Sequence, residues 1–152
     1  MPHPFFKNYG PISVSEIVDY LNIKIDKLNS DQKIEDIKDL FTANSSDITF
    51  FHSSKYKEIA KSTKASFCIT TESLKADLPK NCNSLIVENV LVSVSKLTSK
   101  FYPDSINDNF DEKVISISDS KFKDKVKFGK NVLVGNNVSI GSNCSIGHNS
   151  II

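Results

Sequence analysis

The sequence predicts a small α/β domain followed by the first coils of a left-handed parallel β-helix made of hexapeptide repeats. Up to about residue 101, short β-branched and aromatic runs alternate with amphipathic helical patterns, as in α/β domains with a partly parallel sheet. From Phe122 to Ile152, large apolar residues instead recur every six positions, which is the period of a hexapeptide solenoid. The change of period predicts two regions of different architecture.

The first region contains three predicted helices and three predicted strands. Helices are predicted at residues 15–21, 55–61 and 90–101. The first is short and contains Ser15 as a capping-type serine, and the third is longer, with apolar residues at helical spacing. Strands are predicted at 47–51, 65–70 and 84–87, each short and rich in apolar or β-branched residues. On the first strand, Phe51 alternates with Phe50, so it is expected to face the core on the opposite side of the sheet. Cys68 is expected to be a small core residue of the second strand.

A polar stretch separates the two regions. Residues 102–112 contain Pro103 and show no apolar periodicity, so we predict a linker there. The predicted domains are therefore residues 1–112 and residues 113–152.

The second region repeats two phases with a period of six. Its large apolar phase is Phe122, Phe128, Val134, Ile140, Ile146 and Ile152, and its smaller phase is Val126, Val132, Val138, Cys144 and Ser150. We predict that three hexapeptides form one coil, that the large residues fill its interior, and that glycine or asparagine makes each bend. Fewer than two coils are present, so we expect this chain to be a truncated part of a longer solenoid.

Composition narrows the class of protein. The 152 residues have a formal charge of +1, and the 19 basic residues are all lysine, so nucleic acid is not an expected partner. No apolar run approaches the roughly 20 residues of a transmembrane helix, and no secretory leader precedes the domain, so we expect a cytoplasmic protein. The three cysteines share no short spacing, which favours neither a disulfide framework nor a metal site.

One segment carries a family resemblance. Thr49-Phe50, a short loop and Lys55-Tyr56, joined to a hexapeptide solenoid, resemble the N-terminal part of the UDP-3-O-acylglucosamine N-acyltransferases of lipid A biosynthesis. The resemblance extends from about Ile34 to Ile152. It implies that the first region is a uridine-binding domain and that the intact protein is a homotrimer. It also implies transfer of a 3-hydroxyacyl chain from acyl carrier protein to the 2-amino group of UDP-3-O-acylglucosamine, with no metal or organic cofactor.

The resemblance also implies roles for single residues. Phe50 and Tyr56 would clamp the uracil between their rings, and Lys55 would approach a phosphate or the ribose. Ser53 stands where the family usually has an asparagine that contacts the nucleotide. The family's catalytic histidine lies in later coils, so His148 is interpreted as a turn residue. The chain is therefore expected to contain no catalytic residue and to be inactive by itself.

Three alternatives remain open at this stage. Phe50 and Tyr56 are also compatible with ordinary core packing. The chain is also compatible with another hexapeptide-repeat protein, such as a sugar O-acyltransferase or a metal-dependent solenoid. A third interpretation is a non-catalytic module that binds a nucleotide sugar or only trimerises.

Overall fold

The computed structural model describes residues 6–23, 31–106 and 111–152. The chain divides into two compact units, Met1–Ile106 and Asn107–Ile152. The division falls within the stretch predicted to be a linker, of which residues 107–110 lie outside the described residues.

The first unit begins with a short antiparallel ribbon and a helix. Strands β1 (Ile12–Ser13) and β2 (Lys33–Ile34) pair with each other, and helix α1 (Val14–Tyr20) follows β1 directly. The predicted cap of α1 was wrong: the Oγ atom of Ser13 accepts the amide of Glu16 at 3.2 Å, and Ser15 lies within the helix. Ser13 takes this role because its extended backbone lets its hydroxyl face the free amides of the first turn.

A four-stranded parallel sheet forms the centre of this unit. Its strands are β3 (Asp36–Ile37), β4 (Asp47–Phe51), β5 (Phe67–Thr70) and β6 (Asn83–Ile86), in that spatial order. The sequence pattern predicted both ends of β4 correctly, and it predicted the ends of β5 and β6 to within two residues. The short strands β1, β2 and β3 were missed, because two-residue strands leave no periodicity to detect.

Two further helices connect the strands. After β4 come a 3₁₀ helix (Ser54–Tyr56) and α2 (Lys57–Ala60), where one short helix was predicted. Helix α3 (Val90–Phe101) has the predicted bounds, and the side chain of Asn89 caps it by accepting the amide of Val92 at 3.1 Å.

The sheet has a buried cluster on each face. Ile48 and the half-buried Phe50 belong to the cluster that includes residues of α1 and α3, whereas Phe51 and Cys68 belong to the other cluster. Phe51 and Cys68 are fully buried, as predicted. The alternation along β4 therefore directs Phe50 and Phe51 to opposite faces.

The stretch after α3 contacts the first unit. Pro103–Ser105 form a 3₁₀ helix, and the hydroxyl of Tyr102 donates to Asp36 Oδ1 at 2.6 Å. The hydroxyl of Tyr9 donates to Asp104 Oδ2 at 2.7 Å. The first residues of the predicted linker are thus held by hydrogen bonds to the preceding unit.

The second unit contains both antiparallel and parallel pairs of short strands. Its strands are β7 (Ile115–Ser116), β8 (Lys127–Phe128), β9 (Leu133–Val134) and β10 (Ser145–Ile146). Strands β8 and β10 pair in parallel one coil apart, and Leu133 forms a parallel bridge with Ile151. Strands β7 and β9 instead pair antiparallel, so the parallel arrangement begins after β7. Side-chain hydrogen bonds join residues 18 apart, which confirms three hexapeptides per coil. The left-handed sense of the coil stays a prediction.

Asparagine makes the bends of the repeat. The residues with positive φ in this unit are Asn131, Asn137, Asn143 and Asn149, at 55°, 58°, 65° and 57°. None of the described glycines has positive φ. Of the two residue types predicted for the bend, the structure uses asparagine, which tolerates the left-handed region better than other residues with a Cβ atom.

The interior of the second unit is only partly closed. Phe122, Val126, Val132 and Val134 are buried, together with Ile117 of the preceding 3₁₀ helix (Ile117–Asp119). The prediction of an interior position was wrong for Phe128, which is 38% exposed. Residues inside a solenoid are covered by the coils above and below, so a position without such a neighbour stays accessible.

Candidate functional site

A cavity of about 280 Å³ lies where two parallel strands of the first unit end. The segment after β3 contributes three residues to its wall, β4 and the loop after it contribute two, and the following helices contribute two. They are Asp39, Leu40, Phe41, Phe50, His52, Tyr56 and Ile59. Open parallel sheets bind ligands in this position, outside the carboxyl ends of their strands.

Three aromatic rings stand in sequence along the cavity. The ring centroids of Phe50 and His52 are 6.2 Å apart with planes 30° apart, and those of His52 and Tyr56 are 5.4 Å apart with planes 46° apart. The structure therefore places Phe50 and Tyr56 at one cavity and adds His52 in contact with both rings. His52 is not among the site residues predicted from the sequence, because nothing in the loop indicated where its ring would point.

Ser53 and Lys55 are not among the lining residues of this cavity. The Oγ atom of Ser53 accepts the amide of Lys55 at 3.4 Å and caps the 3₁₀ helix. The Nζ atom of Lys55 lies 5.9 Å from the centroid of the Tyr56 ring. Both residues thus border the loop that carries His52, without facing the cavity.

The wall after β3 is a turn held by Asp39. Its Oδ1 atom accepts the amides of Phe41 and Thr42 at 2.8 and 3.0 Å, and its Oδ2 atom accepts the hydroxyl of Thr42. The Thr42 hydroxyl, and then the two amides, hold the pKa of Asp39 below its ordinary value, although partial burial acts in the opposite direction. The turn presents Phe41, which is 86% exposed, at the edge of the cavity.

A buried ion pair holds the strands that lead to the cavity. Asp47, fully buried at the start of β4, receives the ammonium of Lys38 at 3.0 Å on both oxygens and the amide of Asn44 at 2.9 Å. The amide of Lys38 in turn donates to the carbonyl of Ile48. These bonds fix where the chain leaves β3 and therefore where the Asp39 turn lies.

Comparison with known proteins finds family profiles that match both parts of the chain. The profile of the UDP-3-O-(3-hydroxymyristoyl) glucosamine N-acyltransferase family matches residues 31–100, and the six-repeat bacterial transferase hexapeptide profile matches residues 119–152. The N-terminal region of this chain is therefore similar to that of the UDP-3-O-acylglucosamine N-acyltransferases. Two relatives with that name, from Rickettsia typhi and Rickettsia prowazekii, are 37% and 38% identical over 100 residues. The match covers 64% of this chain and 29% of each relative's length.

All residues of the cavity wall fall within the part that matches the N-acyltransferase profile. Residues 39–41 and 59 were not singled out by sequence reasoning as site residues. The one local signal was Asp39 three residues before Thr42, a pattern typical of a side-chain-braced turn.

A second cavity, of about 580 Å³, adjoins the first and shares Asp39 and Phe50 with it. Its polar lining includes Asp36 and Tyr102, which are hydrogen-bonded to each other. Burial, and then the bond to Asp36, raises the pKa of Tyr102 to about 12. Asp36 and Tyr102 in the wall of this second cavity are thus engaged with each other.

His148 lies in a turn of the second unit, as predicted. Its Nδ1 atom accepts the amide of Lys130, one coil away, at 2.7 Å. An imidazole whose acceptor nitrogen is already occupied has no free lone pair with which to take a proton from a substrate. The geometry gives His148 a structural contact between coils.

Two further findings concern the described residues as a group. Among residues 6–23, 31–106 and 111–152, no helix has the length and apolar character needed to cross a membrane. In the same ranges, no group of three or more histidine, cysteine, aspartate or glutamate side chains is placed to hold a metal ion.

Proposed function

We propose that this chain carries the uridine-recognition part of a UDP-3-O-acylglucosamine N-acyltransferase of lipid A biosynthesis. The observation that carries the proposal is that Phe50 and Tyr56, at the family's spacing, line one mainly apolar cavity within the residues that match the family. The same match favours this reaction over those of other hexapeptide-repeat sugar acyltransferases.

The size and chemistry of the cavity suit a pyrimidine base. Its volume of about 280 Å³ is near the lower end of the roughly 300–1,000 Å³ of small-molecule pockets, so it suits a single ring rather than a whole nucleotide sugar. Stacking on aromatic side chains contributes about 1–3 kcal/mol per base. Phe50 is half-buried and Tyr56 is 37% exposed, so each has accessible ring surface.

The neighbouring polar residues have supporting roles in this proposal. Lys55 is exposed beside Tyr56, where its ammonium can approach a phosphate or the ribose of a bound nucleotide. Because the chain has no arginine, a diphosphate would be bound by lysine and backbone amides. Ser53, as the cap of the 3₁₀ helix, would position Lys55 and Tyr56.

The complete reaction belongs to the same proposal. A homotrimeric cytoplasmic enzyme would take a 3-hydroxyacyl chain from acyl carrier protein and transfer it to the 2-amino group of the nucleotide sugar, with no metal or organic cofactor. A histidine general base would deprotonate the amine, and backbone donors would stabilise the oxyanion. We assign no catalytic residue to this chain, since the coil contact of His148 occupies its acceptor nitrogen.

Titration of the chain with UMP tests the proposal. We expect binding by the wild-type chain and a loss of about tenfold or more for Phe50→Leu and for Tyr56→Ala, since each removes one stacking face. Leucine at position 50 keeps apolar packing against the core.

Tyr20→Ala is the matched control, because Tyr20 is a similarly exposed tyrosine (44%) outside the cavity. Thermal unfolding of each variant separates lost binding from lost structure. UMP binding that survives both cavity substitutions would rule out this cavity as the uridine site.

A further inference from the structure

The cavity wall offers few polar groups to a bound base, and His52 is the one best placed to meet its edge. We propose that His52 reads the uracil edge and determines the preference for uridine over cytidine nucleotides, an inference that rests on the proposed function. Its imidazole touches the rings of both Phe50 and Tyr56 and belongs to the same wall.

The imidazole nitrogens of His52 are available to a ligand. In the described part of the chain, His52 makes ring contacts but has no hydrogen-bond partner, and its side chain is exposed. A neutral imidazole has one N–H donor and one acceptor nitrogen, so it can donate to a base carbonyl. His52 therefore brings an unused donor to an otherwise apolar wall.

The other polar groups nearby are engaged or face elsewhere. Both carboxylate oxygens of Asp39 accept hydrogen bonds from its own turn, and an ionised carboxylate has no proton to donate to a carbonyl. Ser53 caps the 3₁₀ helix outside the cavity wall. The hydroxyl of Tyr56 lies in the plane of its ring, so a base stacked on that ring does not present its edge to it.

The chemistry of the two pyrimidines gives the selectivity. Uracil carries a carbonyl oxygen at position 4, which accepts the imidazole N–H, whereas cytosine carries an amino group there, which is a donor. Cytosine is accommodated only when the imidazole exchanges its tautomer or turns its acceptor nitrogen toward the amino group, and this rearrangement costs part of the binding free energy. His52 therefore favours UMP over CMP.

UMP and CMP titrations of His52→Phe and His52→Gln test this inference. Phenylalanine keeps an aromatic ring but removes both nitrogens, so we expect UMP affinity to fall about fivefold to tenfold, the size of one hydrogen bond, while CMP affinity stays the same. Glutamine restores an N–H donor and is expected to recover UMP affinity, whereas its carbonyl can also accept from the amino group of CMP. His148→Phe is the matched control, because it makes the same replacement at an exposed histidine of the other unit.

Three results would overturn the inference. A His52→Phe chain with the wild-type UMP-to-CMP ratio would show that another group reads the base. Tighter UMP binding by His52→Ala would show that the imidazole occupies the place of the base. Absence of UMP binding by the wild-type chain would refute the proposed function as well as this inference. If UMP binding is lost in Tyr56→Ala but the UMP-to-CMP ratio is unchanged in His52→Phe, this inference alone is refuted.

Discussion

At the scale of single residues, two threonines in neighbouring strands of the sheet differ in whether their side-chain hydroxyl is hydrogen-bonded. Both are fully buried, Thr49 in β4 and Thr70 in β5. Thr70 Oγ1 donates to the carbonyl of Phe51 at 2.8 Å, whereas Thr49 Oγ1 has no hydrogen-bond partner among the described residues. A buried polar atom is costly when it is unpaired and roughly neutral when it is paired.

Replacing each threonine with valine, which is nearly isosteric, separates the two environments. We expect Thr49→Val to leave stability unchanged or to raise it by about 1 kcal/mol, because it removes an unpaired hydroxyl. Thr70→Val is expected to lower stability by about 1–2 kcal/mol, because it breaks a buried bond. Urea unfolding of the two variants measures both changes, and an equal loss at the two positions would contradict the assignment.

Phe50 and Phe51 show how adjacent residues acquire different roles. Strand alternation directs Phe51 into one buried cluster and leaves Phe50 half-buried at the cavity wall. The same pair in a helix would lie about 100° apart and could share one face. The candidate stacking residue is therefore identified by its position in the alternation along the strand.

At the scale of elements, the hexapeptide coil depends on asparagine for its bends and on glycine for its close approaches. A Cβ atom at Gly129 would lie 2.7 Å from both the backbone nitrogen and the Nδ1 atom of His148, one coil away. At Gly147, no described heavy atom would lie within 4 Å of such a Cβ atom. Of these two glycines, Gly129 is therefore the one whose replacement would crowd the next coil.

Gly129→Ala and Gly147→Ala form a matched pair. We expect Gly129→Ala to destabilise the coil by about 1–3 kcal/mol, since backbone atoms must move to admit the methyl group. Gly147→Ala should have little effect. Amide hydrogen exchange at Lys130 and Asn149, whose amides bond between coils, reports the loss locally. Unchanged protection in Gly129→Ala would show that the coils are not packed this closely.

At the scale of the whole molecule, the chain consists of two units that are stabilised in different ways. The first is closed by contacts between distant segments: Tyr102, after the last helix, bonds to Asp36 on β3 and receives the amide of Asn8 at 3.4 Å. The second is closed by contacts between successive coils, 18 residues apart.

The stability of the chain at alkaline pH tests the contact of Tyr102 with Asp36 in the first unit. The folded chain raises the pKa of Tyr102 to about 12, above the roughly 10 of an unfolded tyrosine. As the pH rises, the unfolded chain therefore loses the Tyr102 hydroxyl proton before the folded chain does. The contribution of this hydroxyl to the stability of the fold is complete below about pH 10 and is lost as the pH rises through about 12.

We expect urea unfolding of the wild-type chain to lose stability between about pH 10 and 12 more steeply than that of Tyr102→Phe, which has no proton to lose. The comparison cancels the titration of the lysines, which both chains share. Parallel pH profiles for the two chains would show that Tyr102 titrates as it does in the unfolded chain.

The amino-acid sequence by itself determined the local elements and the repeat. Strand β4, the bounds of α3, the opposite faces of Phe50 and Phe51 and the asparagine bends all follow from periodicity and backbone preference, which act over a few neighbouring residues. The family resemblance of the first region was also readable from the spacing of Thr49-Phe50 and Lys55-Tyr56, and the family profile confirmed it.

Only the tertiary structure decided how the cavity is assembled. In the fold, the His52 ring lies beside the rings of Phe50 and Tyr56, and Ser53 caps the 3₁₀ helix. The Asp39 turn forms part of the same wall, and the ion pair of Lys38 and Asp47 holds the strands that lead to it. These contacts join loops that follow different parallel strands. Because their geometry depends on how the strands align in the sheet, no pattern within one loop encodes it.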